Sequence, residues 1–221
     1  MKVILHNSIS LDGSFTGIAA NMELHYQAVN SFGAQVYMVG SNTTSSESIE
    51  QNGETVPPET ASDFHKPVRD PALPYWVIPD TKGTLQGILH YYRHFEYCRD
   101  VILLVSESTP AGYIDYLEKR DYDYIKTGSI HADYREAFLQ LARRYGVETI
   151  LVDTGSRLGN VLLNEGLIDE ISLVFTPEIL GKATRHIFEG VEKNIKLRCQ
   201  KCEKLPDGYI WIVYEIIKPC L

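Results

Sequence analysis

The stretch ETILVDTGSRLGNVLLNEGLIDEISLVFTP, Glu148 to Pro177, decides how the rest of the chain is read. An apolar run from Thr149 to Val152 meets Asp153 and Thr154, and Gly155-Ser156-Arg157-Leu158-Gly159 then opens a second periodic segment. This pattern predicts a buried strand handing over to a helix, followed by a strand in which Ile171, Leu173 and Phe175 alternate. A helix N-terminus leaves backbone N–H groups free and carries a partial positive charge, so phosphate binds there if the backbone can come close. Gly155 and Gly159 allow that approach, Ser156 offers a hydroxyl and Arg157 a guanidinium suited to phosphate. An ordinary strand-turn-helix junction with a glycine for the bend has the same wording. The GxGxxG dinucleotide fingerprint is excluded because Arg157 holds the place of its second glycine, and a P-loop is excluded because no Gly-Lys-Ser/Thr follows.

Working outward, strand and helix patterns alternate. Lys2 to Ser8 reads as a first strand, Leu24, Ala28, Val29 and Phe32 recur at helical spacing up to Gly33, and Gln35 to Val39 reads as a second strand. Ser41 to Pro74 is polar, holds five prolines and has no clean period, which marks a long excursion of the kind often tied to function. YWVIP (Tyr75 to Pro79) and VILLV (Val101 to Val105) predict buried strands, with a weaker one at Tyr122 to Lys126. AGYIDYLEKR predicts a short helix, and Ala132 to Tyr145 a longer one with Tyr134, Ala137, Phe138, Leu141, Ala142 and Tyr145 on one stripe. Asn194 to Leu205 and Tyr209 to Ile217 alternate as two strands joined by Pro206-Asp207-Gly208, a hairpin signal. The fold class expected is α/β, with a mixed sheet flanked by helices and a C-terminal antiparallel hairpin, in a single domain over 1–221.

Composition narrows the partners. The chain has 221 residues, 44% of them hydrophobic, enough for a sizeable core, and 21 Lys plus Arg against 29 Asp plus Glu gives a formal charge of −8. That balance disfavours broad contact with nucleic acid or an anionic membrane, so an anionic ligand needs a locally basic pocket. MKVILHNSIS is too short an apolar run for a signal peptide and no stretch is long enough to span a membrane, so a cytoplasmic protein is expected. Cys98 and Cys220 have no motif around them. Cys199-Gln200-Lys201-Cys202 spells CxxC, but it lies in the alternating run IKLRCQKCEKL. Strand alternation puts residues three apart on opposite faces, so neither a redox nor a metal site is expected.

Four pieces occur in a telling order: NSISLDGSF after strand one, YMVGSNTT ending strand two, VIPDTKG ending strand three, and VDTGSRLGNVLLNEGLIDE late in the chain. Together they resemble the dihydrofolate-reductase-like reductases of riboflavin biosynthesis. The resemblance is strongest to the stand-alone archaeal and fungal type that acts on 2,5-diamino-6-ribosylamino-4(3H)-pyrimidinone 5′-phosphate. It spans nearly the whole chain and is most specific from Leu151 to Gly181. It implies an NADPH-dependent reduction of a ribosylamino to a ribitylamino group on a pyrimidine nucleotide substrate, in a homodimer built through late strands.

The resemblance also implies site residues. Gly155, Ser156, Arg157 and Leu158, with Thr154, match the turn that holds the cofactor pyrophosphate. Thr43 matches a threonine that contacts the cofactor, Thr81 and Lys82 lie where the adenosine ribose and its 2′-phosphate bind, and Ile125 to Gly128 lies at the adenine end. Asp153 stands where the family usually has glutamate, facing the pyrimidine or ribityl chain, and its other reading is a helix cap. Asp12 and Gly13 shape the active-site loop, and Asn7 and Ser10 face the ring. His25, in the stretch that walls the substrate, is either a proton donor or a polar residue of the first helix.

The sequence also departs from the family. Asp153-Thr154-Gly155 replaces Glu-Gly-Gly, and Thr154 is strained if the turn demands positive φ there. No acid-base pair is legible. His65, Lys66 and Arg69 in the excursion are further candidate cations that could close over the site. Alternatives left open are NADH as cofactor, a same-fold reductase of a pterin or of the deaminated pyrimidine, and a non-catalytic NADPH-binding homologue.

Overall fold

The computed structural model describes residues 1–218, and Cys220 lies outside them. The strands are β1 (Lys2–Ser10), β2 (Val36–Met38), β3 (Tyr75–Pro79), β4 (Val101–Val105), β5 (Asp123–Lys126), β6 (Thr149–Asp153), β7 (Glu170–Thr176), β8 (Leu197–Lys204) and β9 (Ile210–Ile216). The α-helices are α1 (Met22–Asn30), α2 (Ser46–Gln51), α3 (Leu89–Arg93), α4 (Ala111–Lys119), α5 (Tyr134–Tyr145) and α6 (Ser156–Asn164). The α/β class and the antiparallel C-terminal hairpin are as expected. The chain divides into two compact units, one made of Met1–Ala34 with the chain from Thr149 onward, the other of Gln35–Glu148.

In the first unit the strand order is β6-β1-β7-β9-β8, parallel on both sides of β1 and antiparallel from β7 to β8. Register places Asp153, His6 and Ser172 side by side across three strands, and Ser8, Val174 and Trp211 in the next row but one. Directly paired residues share a face, so this face carries a polar row between apolar neighbours. It is covered by α1, whose Leu24 and Ala28 pack with Val174, Leu205, Trp211 and Val213. Asn21 starts α1, its side-chain oxygen accepting from the N–H groups of Glu23 and Leu24 at 3.1 and 3.2 Å. On the other face α6 approaches β1 so closely that a Cβ on Gly159 would lie 3.2 Å from Leu5 Cδ1. Gly159 therefore has a packing reason to be glycine, independent of any ligand.

The second unit is an all-parallel set, β5-β4-β3-β2. Its strands are covered on both faces, which is why VILLV reads as a continuous apolar run with every residue buried. The 41–74 excursion is the crossover from β2 to the parallel β3, and such a link must travel from the end of one strand back to the start of the next. It contains α2 and a 3₁₀ turn, Ala61–Phe64.

Its charges hold it down. Arg120 is bidentate to Glu59 at 2.7 Å for each bond, Lys66 donates to Asp123 at 2.7 Å, and His90 Nε2 lies 2.7 Å from the Pro57 carbonyl. Buried Arg93 donates to Asp100 at 2.8 Å and to the carbonyls of Asp63, Arg120 and Asp121 at 3.1, 2.9 and 3.1 Å, with its guanidinium 3.6 Å over the Tyr122 ring. Asp100 precedes β4 and Asp123 begins β5, so these anchors sit at the N-terminal edge of the parallel strands, around a cleft of about 400 Å³ that includes His65, Lys66, Arg69 and Arg93. Lys66 and Arg69, read from sequence as cations able to close over a ligand, are instead engaged in pinning this crossover, Arg69 through the carbonyls of Arg93 and His94.

Two local expectations are corrected. α2 and α3 had no helical signal, because α2 is six residues of Ser, Glu, Ile and Gln and α3 is five residues of mostly aromatic and histidine side chains. In β8 a bulge between Cys199 and Lys201 adds a residue, so Cys199 pairs with Tyr214 and Cys202 with Ile212. Those partners are two apart on β9, so both cysteines face the same side, reversing the simple alternation. Both thiols are free and exposed.

Candidate active site

The C-terminal ends of parallel strands are where α/β sheets bind ligands, because helix N-termini and loop amides collect there. In the first unit those ends bring together the β1 loop, Asp153 and the start of α6. Gly155 is the N-cap of α6, with φ −66° and ψ 178°, and no side chain caps the helix. The first N–H groups of this nine-residue helix are therefore free to meet an anion. A Cβ on Gly155 would lie 3.2 Å from the Phe15 ring, so the position accepts nothing larger without a shift. Ser156 and Leu158 are buried and Arg157 is exposed beside them. Among the described residues the only non-glycine positive φ values are at Asp121 and Asp207. Thr154 is thus unstrained; it is buried, and its carbonyl accepts from Asn7 Nδ2 at 3.0 Å.

Asp153 ends β6 with its side chain one-third exposed. Its Oδ2 lies 3.1 Å from His25 Nε2, and His25 Nδ1 lies 3.0 Å from Ser8 Oγ. His25 is 5% exposed. Beneath it, 4.6 Å between ring centroids, is His6, whose Nδ1 is 2.9 Å from Ser172 Oγ. The Trp211 indole N–H donates to that same oxygen at 2.9 Å. Indole can only donate, so the Ser172 oxygen accepts from Trp211 while it also meets His6 Nδ1. Burial, reinforced by the His25 ring nearby, pushes His6 down to about 4, so it is neutral at neutral pH. The Tyr26 ring stands edge-on to His25 at 5.2 Å, and its hydroxyl is pushed up by burial and by the Asp153 charge.

The β1 loop is held by Asp12. Its carboxylate accepts from Ser10 Oγ, from Gly181 N at 2.8 Å and from Leu180 N at 3.3 Å. The Ser10 hydroxyl, then the Gly181 N–H, hold it well down, at about 2. Asp12 thus ties the β1 loop to the chain at Leu180 and Gly181. Ser10 is fully buried and its hydroxyl is engaged with Asp12 and Ser14, and Ser10 and Asn7 point to opposite faces of β1.

In the second unit the strand ends form their own rim. Asp80, 3% exposed, accepts from Thr84 N and Oγ1 at 3.0 Å and from Leu85 N at 2.9 Å, closing the turn that presents Thr81 and exposed Lys82. Thr81 O accepts from Thr109 Oγ1 at 3.0 Å, and Gly128 O accepts from Glu107 N at 3.0 Å. Gly128 has φ +71°, and a Cβ there would lie 2.1 Å from the His131 carbonyl oxygen, so only glycine fits. Ile125 is fully buried, one strand residue short of the rim. After β2, Thr43 is exposed, while its neighbour Thr44 is buried with its hydroxyl on Gly40 O at 3.3 Å.

Sequence reasoning missed Ser8, His6, Ser172 and Trp211, and the rim hydroxyls of Ser106 and Thr109. The first pair did leave a signal: HNSIS places four polar residues in a strand that is buried from Val3 to Ser10, and buried polar groups need partners.

The fold and sequence were compared with known proteins. A pyrimidine reductase-like protein from Corynebacterium diphtheriae is 16% identical with TM-score 0.68, over 99% of this chain and 92% of that one. RibD of Acinetobacter baumannii is 19% identical with TM-score 0.67; this chain is covered over 98% but spans only 58% of that protein. A riboflavin biosynthesis reductase from Saccharomyces cerevisiae is 14% identical with TM-score 0.63, over 98% of this chain and 90% of that one. Likeness at such identities establishes the fold. The family model described as RibD C-terminal domain matches residues 1–211, and the chain therefore belongs to that family of dihydrofolate-reductase-like pyrimidine reductases.

Proposed function

We propose that this protein uses NADPH to reduce the ribosylamino group of 2,5-diamino-6-ribosylamino-4(3H)-pyrimidinone 5′-phosphate to a ribitylamino group, in the cytoplasm and as a homodimer. The observation that carries the reading is the junction at Asp153 to Ser156. A carboxylate one-third exposed ends a strand directly before a helix whose N-terminus has no side-chain cap.

The residues present fit a dinucleotide. The α6 N-terminus and Arg157 suit its pyrophosphate. When bound, the nicotinamide supplies a hydride, and the chemistry left to the protein is placement and one proton. Asp153 is the carboxylate available to orient the substrate and pass that proton, backed by His25 at 3.1 Å. Asp12 keeps the β1 loop in one conformation by joining it to Gly181. The homodimer is supported by the edge position of β8 and by the exposure of Leu197 and Ile210, each 40%.

The test is absorbance at 340 nm with NADPH and the enzymatically prepared pyrimidine phosphate, beside a dihydropterin, the deaminated pyrimidine and a blank. Oxidation that requires the diamino pyrimidine phosphate is expected. Preference for the pterin or the deaminated pyrimidine assigns a different substrate, and NADPH binding without oxidation under any condition assigns a non-catalytic homologue.

A further inference from the structure

We propose that His25 is a positioning residue that holds Asp153, with the Ser8 hydroxyl as the switchable partner on the far side of the ring. The proposal rests on the reductase reading above for the identity of the proton acceptor. Its geometry does not: Ser8 Oγ, His25 Nδ1, His25 Nε2 and Asp153 Oδ2 form one line with spacings of 3.0 and 3.1 Å, running from the buried centre of β1 to a carboxylate that reaches solvent.

The chemistry of the ends explains why a serine is useful. When the ring carries both protons, Nε2–H donates to Asp153 and Nδ1–H donates to Ser8 Oγ. When it carries one, Nε2–H still donates to Asp153 and the Ser8 hydroxyl turns to donate to Nδ1. In each state both ring nitrogens keep a partner, so the ring stays in place whichever way the Ser8 hydroxyl turns. An alanine at Ser8 leaves Nδ1 without a partner in either state.

The surroundings keep the charge on one ring. His25 is faced from β1 by His6 and Ser8, from β6 by Asp153 and from its own helix by Tyr26. His6 is fully buried and its Nδ1 is fixed by Ser172, which is itself held by the Trp211 N–H. A second imidazolium 4.6 Å away would be repelled, and burial already keeps His6 neutral, so it does not compete for the proton.

The step balances as follows. Two electrons arrive as hydride at the former anomeric carbon of the ring-opened imine, forming a C–H bond. The C=N π pair moves to nitrogen, which takes one proton from the Asp153 carboxyl. Asp153 recovers its proton from solvent at its exposed edge, while the His25 Nε2–H keeps the carboxylate in place and the Ser8 hydroxyl donates to Nδ1.

Two measurements test this. In ¹⁵N-histidine-labelled protein without substrate, the neutral His25 ring is expected to carry its proton on Nε2, and Asp153→Ala is expected to move it to Nδ1, where Ser8 accepts it. An unchanged tautomer overturns the coupling, whatever the protein's substrate. In turnover, His25→Gln is expected to lower kcat about 100-fold and to lose one limb of its pH profile, with NADPH affinity unchanged, and Ser8→Thr is expected to keep what Ser8→Ala loses. A His25→Gln enzyme with the wild-type pH profile overturns the positioning role. A tautomer switch in a wild-type protein that reduces none of the offered substrates rejects the reductase reading while leaving the Asp153–His25 coupling in place.

Discussion

Around β1, buried polar side chains such as His6, Ser8, His25 and Ser172 are linked to one another and end on an exposed carboxylate. In the Gln35–Glu148 unit, buried Arg93 is surrounded by Asp100 and the backbone carbonyls of Asp63, His65, Arg120 and Asp121, at the wall of the crossover cleft. The first arrangement can exchange donor and acceptor roles, because serine and histidine can each donate or accept. The second cannot, because a guanidinium only donates and is always charged. Polar burial of one kind thus suits chemistry, and of the other kind suits anchoring a long crossover.

The sharpest way to break this contrast is Arg93→Ala. It leaves Asp100, whose carboxyl burial already pushes up, without its cation, and stability measured by urea unfolding is expected to fall by about 3–5 kcal/mol. A loss below 1 kcal/mol would mean the crossover is held by its packing alone.

Acid should act on the other region. His6 is held at about 4 against 6.5 for the free side chain, so the unfolded chain binds the extra proton first as pH falls. Stability is then whole above pH 6.5 and is lost progressively down to about 4, by about 3 kcal/mol in total. Unfolding midpoints measured across that window in wild type and His6→Gln should converge at acid pH, and parallel curves would show that His6 does not carry the effect.

Gly128→Ala should cost about 1–3 kcal/mol, since φ is +71° and the new Cβ meets the His131 carbonyl. Thermal unfolding reads this directly. The smallest effect is expected for Lys66→Ala. Its pair with Asp123 is half exposed, so the stability loss should be about 0–1 kcal/mol. Turnover should not change, whereas a drop in turnover would restore the reading in which this crossover closes over a ligand.

These contrasts show what the sequence exposes. YWVIP and VILLV become β3 and β4 residue for residue, because short apolar runs bounded by polar groups leave few other pairings. Asp153 and Gly155 were legible because strand end and helix start are adjacent in the chain. The hydrogen-bonded line was not, since Ser8, His25 and Asp153 lie on three separate elements and only sheet register aligns them. Thr43 came from resemblance to a family pattern, and that Thr44 beside it turns inward is set by the turn after β2, which spacing does not show. The CxxC faces were misread because a bulge of one residue leaves no mark in an alternating polar strand.

One measurement tests the central claim most directly. The protein would be incubated with NADPH deuterated at both C4 positions of the nicotinamide and with the diamino ribosylaminopyrimidine phosphate, and the product examined by mass spectrometry and NMR. The account predicts a ribitylamino product with a single deuterium on the carbon that had been anomeric, and its near-absence with Asp153→Asn. Recovery of unlabelled starting material, from wild-type protein shown to bind NADPH, would contradict it.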